Sequence, residues 1–556
     1  MEAARERSGG ERALLLVLLL LAAVAVLEPP GSGLAEPDET RYAEIPREML
    51  ASGDFVVPRL NGLPYFEKPP LLYWVNAASM RALGPTPWAA RLPTRLAGMG
   101  TMILVVLAAG GFRRREGLAA GILLLAAPLG FLLARTNLTD GLLTFFFTAT
   151  LLSGRAAVER RSQGRPWIHL AAWTGAAAAG AFLTKGLIAL ALPGLILLLW
   201  CAATGRLRGF GALVASPAPL VFLALSMPWF VLVERRHPGF LQFFFIHEHF
   251  QRFATGAAKR AGPVWYFVPV IAVGFLPGLA FLLAALRRAW RRTDGAFFFF
   301  VWFAAVFLFF SLSQSKLPPY VFPALPAAAI LAGRAATAPG RRLWLVHALL
   351  AAAFAAALIL HPVTRGFLVD ARLQGVVAPA LALLVVAAWG AVLFAGNAPS
   401  LAVASLGVGW AAFLASVVVG WPAAPQARSS VELADAARKA GALSRIPLVG
   451  YKDYLNGVSL ELGAPIPVAA YLGELEPSFE RDDAKRDELV WSRERFWSLW
   501  MSDRPVLALV RLQDLVEMLK AAPPARVVRY AGRHAVVANF PSLARGSDPA
   551  PASPTH

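Results

Sequence analysis

Two successive carboxylates, Asp38 and Glu39, open the stretch "DETRYAEIPREMLASGDFVVPRLNGLPYFEKPP" (Asp38 to Pro70), and the pair Glu67 and Lys68 stands near its end. A carboxylate held beside a reacting group can accept its proton. It can equally cap a helix, since its oxygens accept hydrogen bonds from first-turn amides and its charge opposes the helix dipole. Lys68 offers a point charge and Arg252 a planar fork suited to phosphate. The plainer readings are a lysine snorkelling from a helix end and an arginine among lipid headgroups. The triplet "HEH", His247 to His249, lacks the i, i+4 ligand spacing of a metalloprotease helix, so surface histidines are its default reading.

The elements that must hold these residues follow from local pattern. In "DETRYAEIPREMLASG", Tyr42, Ile45, Met49 and Leu50 share one stripe and charges the other, which predicts a helix along the membrane surface, ended by Gly53. The stretch from Asp54 to Pro70 reads as extended and turn-rich, with Asn61-Gly62 as a turn. Pro69-Pro70 then opens a helix over "LLYWVNAASMRALG".

The surroundings of that stretch are strongly apolar. Apolar residues make up 57% of the chain and charged ones 16%, against roughly 25% in an average soluble domain. Mean hydropathy is +0.56. Apolar runs near spanning length recur from Ala13 to about Gly420, about thirteen in all, which predicts an all-α polytopic membrane bundle. The net charge of +19 does not point to nucleic acid, because no basic face interleaved with aromatics appears. The single cysteine, Cys201, excludes an intrachain disulfide and a Cys-based zinc site.

Arginines set the orientation. Clusters at Phe112 to Gly117, Gly154 to Arg165, Thr204 to Gly209, Arg287 to Arg292 and Gly333 to Arg342 separate alternate runs and face the cytoplasm by the positive-inside rule. The intervening loops then face outward, and they carry Glu36 to Pro70, Thr136 to Gly141, His237 to Phe253 and Ser313 to Tyr320. Loops on one face can converge on one site. The first run, Ala13 to Leu27, is short and follows arginines, so a cleaved signal peptide competes with a membrane anchor there.

The expected domains are a membrane domain over residues 1–420 with its outer loop at 28–89, an α/β domain over 421–540, and a disordered tail over 541–556. In the second, "VELADAARKAG" and "QDLVEMLKA" read as helices, "IPLVGY" and "PVLALV" as strands, and "ARVVRY" with "HAVVANF" as a closing hairpin. The tail is rich in Pro, Ser and Ala.

Five blocks, in order and spacing, resemble the lipid-linked glycosyltransferases of the GT-C fold. They are "DETRYAEIPREMLASGDFVVPRLNGLPYFEKPPLLYW" (Asp38 to Trp74), "ARTNLTDGLLTFF" (Ala134 to Phe146), "LTKGLIAL" (Leu183 to Leu190), "FFFIHEHFQRF" (Phe243 to Phe253) and "SLSQSKLPPYVFPALP" (Ser311 to Pro326). They are most similar to the family of the aminoarabinose transferase that modifies lipid A, itself related to protein O-mannosyltransferases. The segment Leu448 to Glu476 is also similar to that family's tail.

The resemblance implies transfer of a sugar from undecaprenyl phosphate, on the periplasmic side of the bacterial inner membrane, to a lipid or protein acceptor. It places Asp38 and Glu39 in the active-site loop and Asp140 as a second acidic position at the outer end of a later helix. Lys68 and Arg252 are then expected on the donor phosphate. Tyr42, Arg59, Tyr65, Lys185 and Tyr320 are expected around the substrate cavity, with Lys185 orienting a neighbouring carboxylate. Glu67 and His247 are expected to bridge a divalent cation, although Glu67 can instead pair with a nearby cation. A lipid A phosphate acceptor hardly needs a proton removed, whereas a Ser, Thr or glycan hydroxyl needs a base such as Asp38. The rival class is a transporter or flippase, which calls for charged or broken positions near the bilayer midplane, and here the main polar motifs fall in the outward loops.

Overall fold

The structure is a computed structural model describing residues 2–246, 262–290, 295–338, 340–361, 371–423, 425–471, 473, 475, 483–521 and 525–540. It divides into two units: Met1–Pro30 with Phe66–Trp421, and Gly31–Tyr65 with Pro422–His556. The outer loop expected at 28–89 is therefore shared. Its central part, Gly31–Tyr65, belongs with the C-terminal unit. The tail expected over 541–556 lies outside the described residues.

The first unit is a helical membrane bundle. Among the described residues, seven helices are long and apolar enough to cross a bilayer: Gly9–Val26, Pro87–Ala108, Thr139–Ser162, Ala218–Arg236, Arg342–Leu360, Gly375–Phe394 and Pro399–Gly420. The pair Val264–Gly274 and Leu276–Ala289, bent by 117°, would make an eighth. The expected count of about thirteen tallied apolar runs rather than unbroken helices. One such run is cut into Arg115–Ala126 and Pro128–Leu133. Pro128 cannot donate the next helical hydrogen bond, so each piece falls short of a span. The first run packs as part of the bundle, with Leu14, Leu18 and Leu21 buried in the same core as Trp302, Trp344 and Trp410.

Close backbone approach sets where the later polar motifs lie. A Cβ added to Gly98 would stand 2.4 Å from the Ala134 Cα, so only a glycine on helix Pro87–Ala108 lets the "ARTNLTDG" segment seat against it.

The second unit is built on a six-stranded mixed sheet. Its strands are β3 (Leu448–Tyr451), β4 (Val468–Ala469), β5 (Val490–Trp491), β6 (Leu507–Arg511), β7 (Arg526–Ala531) and β8 (His534–Ala538), in the order β5-β4-β3-β6-β8-β7. Strands β5, β4, β3 and β6 run parallel, and β8 pairs antiparallel with β6 and β7. The central strands read as continuous apolar runs because both faces are covered. Leu448, Leu507 and Leu509 pack into one layer, and Val449, Ala508 and Val510 into the other. The expected helices, central strands and closing hairpin of this tail all form, with helices at Pro425–Lys439 and Leu512–Leu519.

The outer segment completes this unit. Its helix, Asp38–Ser52, ends at Gly53, which takes φ 72° and donates its amide to the Met49 carbonyl. A two-stranded ribbon follows, β1 (Arg59–Leu60) against β2 (Leu63–Pro64). Asn61 and Gly62 form its turn at φ 55° and 76°, the left-handed pair that a tight hairpin requires. The Asn61 side chain bonds both the amide and the carbonyl of Ile466, at 2.7 and 2.8 Å. The helix was expected on the membrane surface with its charges outward. Instead Glu39, Glu44 and Glu48 are buried along with Tyr42, Ile45 and Met49, because each of these acids finds a donor within the unit.

Candidate active site

In the bundle, the second acidic position meets Lys185, the lysine expected to orient a neighbouring carboxylate. Helix Thr139–Ser162 carries Asp140 in its first turn, and helix Ile168–Lys185 ends on Lys185. Since the two helices are joined by a short loop, they run back along one another, and the start of the first meets the end of the second. Lys185 Nζ lies 2.5 Å from Asp140 Oδ1, and the two side chains are only 15% and 10% exposed. Each also stands at the helix end that its charge favours. The Tyr320 ring, on the 3-10 turn Pro318–Ala324, lies 5.0 Å from Lys185 Nζ, a cation–π contact. Three separate motifs thus meet at one end of the bundle. The basic stretch of the same hairpin, Arg155 to Arg165, lies at the other end.

Neighbouring contacts fix this end. Asn76 donates to Asn137 across 2.9 Å, both fully buried, which ties helix Leu71–Leu83 to the segment that leads into Asp140. Lys68, just before that helix, donates to the Glu67 carbonyl at 3.0 Å. Phe66 sets the entry by packing on the His237 and Phe240 rings, 5.4 and 5.1 Å away. Lys316 holds the approach to Tyr320 through the carbonyls of Ser311 at 2.8 Å and Ser313 at 2.5 Å. Of the expected site residues, His247 and Arg252 lie outside the described residues. Among the described residues, no group of three or more His, Cys, Asp or Glu is arranged to hold a metal, and Glu67 alone of the expected pair is placed.

In the second unit the four acids of helix Asp38–Ser52 have four different environments. Asp38 is 52% exposed and pairs with Arg41 at 3.2 Å. It makes no cap: the residue before the helix is Pro37, with no side-chain cap hydrogen bond. The carboxylate that closes the helix start is Glu39, which accepts the Ala35 amide at 3.0 Å. Glu44 takes both arms of the Arg47 guanidinium at 2.7 Å. Glu48 accepts the Gly62 amide at 2.9 Å and ties the helix to the ribbon turn. Burial, and then the Glu44 charge beside it, push Glu48 up to about 8, so it carries a proton at neutral pH; burial raises Glu44 as well, and the Arg47 guanidinium opposes that rise. Tyr42 and Tyr65 are buried, and Arg59 donates to the Gly62 carbonyl at 3.2 Å.

Two polar clusters were not anticipated. Glu28, where the first run ends, bridges Arg91, at 2.6 Å, and Arg95, both arginines being buried on helix Pro87–Ala108. Arg135 donates to the Leu27 carbonyl beside it. The available signal was two arginines four apart in an apolar helix, a spacing that puts both on one face. Glu36 accepts Ser430 Oγ at 2.5 Å, the Gly457 amide at 2.7 Å and Thr40 Oγ at 2.7 Å. No local pattern marks it, since Ser430 is 394 residues away.

Known proteins are similar to this chain in sequence and in fold. The family model for dolichyl-phosphate-mannose-protein mannosyltransferase matches residues 13–244. The undecaprenyl phosphate-alpha-4-amino-4-deoxy-L-arabinose arabinosyl transferase of Edwardsiella ictaluri (strain 93-146) is 37% identical over 316 residues, 55% of this chain and 56% of that protein. Its Pseudomonas aeruginosa (strain LESB58) counterpart is 37% identical over 312 residues, 54% and 56%. The chain thus aligns with little more than half the length of these curated relatives. Among solved structures, ArnT from Cupriavidus metallidurans bound to undecaprenyl phosphate superposes with a TM-score of 0.81 at 31% identity, covering 96% of this chain and 98% of that one.

Proposed function

This chain belongs to the family of undecaprenyl-phosphate aminoarabinose arabinosyl transferases, and from that premise we propose that it moves 4-amino-4-deoxy-L-arabinose from undecaprenyl phosphate to lipid A. The observation that carries the reading is the nearly full-length likeness to a transferase structure holding undecaprenyl phosphate. The active site and C-terminal domain are assigned to the periplasmic side of a bacterial inner membrane. Supporting that orientation, Asp140 and Lys185 lie at the opposite end of their helical hairpin from its arginine cluster.

The reaction joins an acceptor oxygen to the anomeric carbon and breaks the bond from that carbon to the carrier phosphate. The carrier leaves as a monoester with one more negative charge. Lys68 and Arg252 are assigned to meet that charge, which is the part of the reaction where fixed cations act most strongly. Asp38, half-exposed and outside any capping role, is the carboxylate assigned to the reacting groups. With a phosphate acceptor it orients rather than deprotonates, and with a hydroxyl acceptor it is the base. Lys185 positions Asp140, and the Tyr320 ring holds the Lys185 ammonium through its cation–π contact. A divalent cation on Glu67 and His247 is a separate proposal, tested by elemental analysis and by activity after exhaustive chelation.

The match to the mannosyltransferase family model favours a second reading, transfer to a protein hydroxyl. Intact mass spectrometry of lipid A and of carrier lipids, from cells with and without the protein, separates the two. A protein-dependent mass gain of one aminopentose on lipid A supports the proposal. Unchanged lipid A with glycosylated protein would transfer the reading to the second.

A further inference from the structure

At the end of the bundle away from Asp140, a cavity of about 340 Å³ opens between helices Leu276–Ala289, Leu325–Ala336 and Arg342–Leu360. Arg288, Arg341 and Arg342 line it, with Phe281 and Trp344 as aromatic walls in edge contact at 4.7 Å. Its size falls in the range of small-molecule clefts, roughly 300–1,000 Å³.

The electrostatics of this cavity are unbalanced. Helix Arg342–Leu360 begins at it, with no acidic residue in its first turn and no side-chain cap. Its positive dipole end therefore faces further positive charge, where an acidic residue or a bound anion is the stabilising arrangement. Among the described residues the three arginine side chains form no ion pair and no hydrogen bond. Between residues 262 and 423 the only acids are Asp294 and Asp370, both outside the described residues. One turn further along the helix, His347 is fully buried against Phe281 and Trp344, and among the described residues neither ring nitrogen has a partner. Arginine clusters at the cytoplasmic ends of spans are ordinary orientation signals. Here, however, the arginines surround a concave space with aromatic walls and the start of a 19-residue helix.

We propose that this cavity binds the phosphodiester headgroup of an anionic phospholipid, with Arg288, Arg341 and Arg342 and the first-turn amides of helix Arg342–Leu360 around the phosphate. The acyl chains would extend along the apolar helix surfaces. The site is independent of the sugar-transfer reading and of which leaflet it faces, because it needs only that the chain spans a membrane.

The test uses the full chain in nanodiscs, where both faces are open to reagent. Wild-type protein is labelled with phenylglyoxal, which modifies arginine, in nanodiscs of phosphatidylglycerol and in nanodiscs of phosphatidylcholine. Peptide mass spectrometry reads each arginine, with Arg113 and Arg114 of another basic loop as internal controls. Phosphatidylglycerol should slow labelling of Arg288, Arg341 and Arg342 by about tenfold more than it slows the controls. Equal slowing of all five would reduce the effect to general surface charge and overturn the site. Inorganic phosphate, added to the phosphatidylcholine discs, separates a lipid from a free ion: protection by phosphate equal to that by phosphatidylglycerol would overturn the lipid assignment. In a second measurement, native mass spectrometry of the Arg288→Gln, Arg341→Gln variant should show loss of retained phosphatidylglycerol, while Arg113→Gln, Arg114→Gln retains it. Retention unchanged in the cavity variant would also defeat the proposal.

Discussion

The acidic residues of the bundle and those of the outer segment differ in what their surroundings let them do. In the bundle, Asp140 and Glu28 are each locked to buried or nearly buried cations, Asp140 to Lys185 and Glu28 to Arg91 and Arg95. In the outer segment four acids within eleven residues diverge: Glu39 closes a helix, Glu44 takes a guanidinium, Glu48 holds a proton, and Asp38 stays half in solvent beside Arg41. Residue type therefore says little about role. Burial and the nearest donor separate an acid that holds the fold from one left available for chemistry.

The largest effect should come from the available acid. Asp38→Asn keeps shape and polarity and removes no cap, so it should lower transfer by about 10²- to 10⁴-fold while the unfolding midpoint hardly moves. Donor consumption by the purified variant, beside its melting curve, checks both halves. A large fall in stability with normal turnover would put Asp38 among the structural acids.

Breaking the Glu28 cluster should do the opposite. Glu28→Gln leaves buried guanidinium groups without their counter-charge and should cost about 3–5 kcal/mol. Thermal unfolding of the purified protein should show that loss. An unchanged midpoint would mean that the arginines find other partners.

A smaller effect is expected at Lys185. Lys185→Met strips a charged hydrogen bond from Asp140 and should cost about 1.5–3 kcal/mol, while Lys185→Arg, which keeps the charge, should recover part of it. If Lys185 positions Asp140 for the reaction, kcat should fall more than KM rises in Lys185→Met. A proportionate loss in both would make the pair purely structural.

The smallest expected effect is a pH slope in the outer segment. Glu48 titrates near 8 in the folded protein against 4.5 for an ordinary glutamate, so its contribution is fully present below about 4.5 and is lost as pH rises toward 8. Amides of helix Asp38–Ser52, corrected for intrinsic exchange, should lose protection severalfold between pH 5 and about 8 and then level off. Glu48→Gln, which keeps an acceptor for the Gly62 amide, should flatten the slope. A slope that persists in Glu48→Gln would point to another acid.

Much of the local structure was legible in the chain. Gly53 marked the helix end, Asn61-Gly62 the ribbon turn, Pro69-Pro70 the next helix, and the apolar runs at Leu448 and Leu507 the central strands, since each rests on short-range backbone preferences or on burial of both faces. Family resemblance marked Asp140 and Tyr320, and Lys185 was expected beside a carboxylate that was not named; that these three meet was not legible, because their motifs are far apart in sequence. Other features left no local trace. The outer segment joins the C-terminal unit through contacts such as Glu36 with Ser430, which no window of sequence contains. Strands β4 and β5 are two residues each, too short for a period to register. The buried acids of helix Asp38–Ser52 sat on the face that simple patterning assigns to water, and only their specific donors make that burial affordable. Apolar runs outnumber the unbroken helices of spanning length where proline and a 117° bend divide runs into shorter helices.

The central claim is that the chain transfers a sugar from a polyprenyl phosphate carrier to lipid A. It is tested most directly by incubating the purified protein with undecaprenyl phosphate-linked aminoarabinose and lipid A, and reading both lipids by mass spectrometry over time. The account predicts that sugar-free carrier and sugar-bearing lipid A appear together in equal amounts, and that neither accumulates with Asp38→Asn. Carrier discharge that does not depend on lipid A, or a donor that stays intact beside folded wild-type protein, would contradict it.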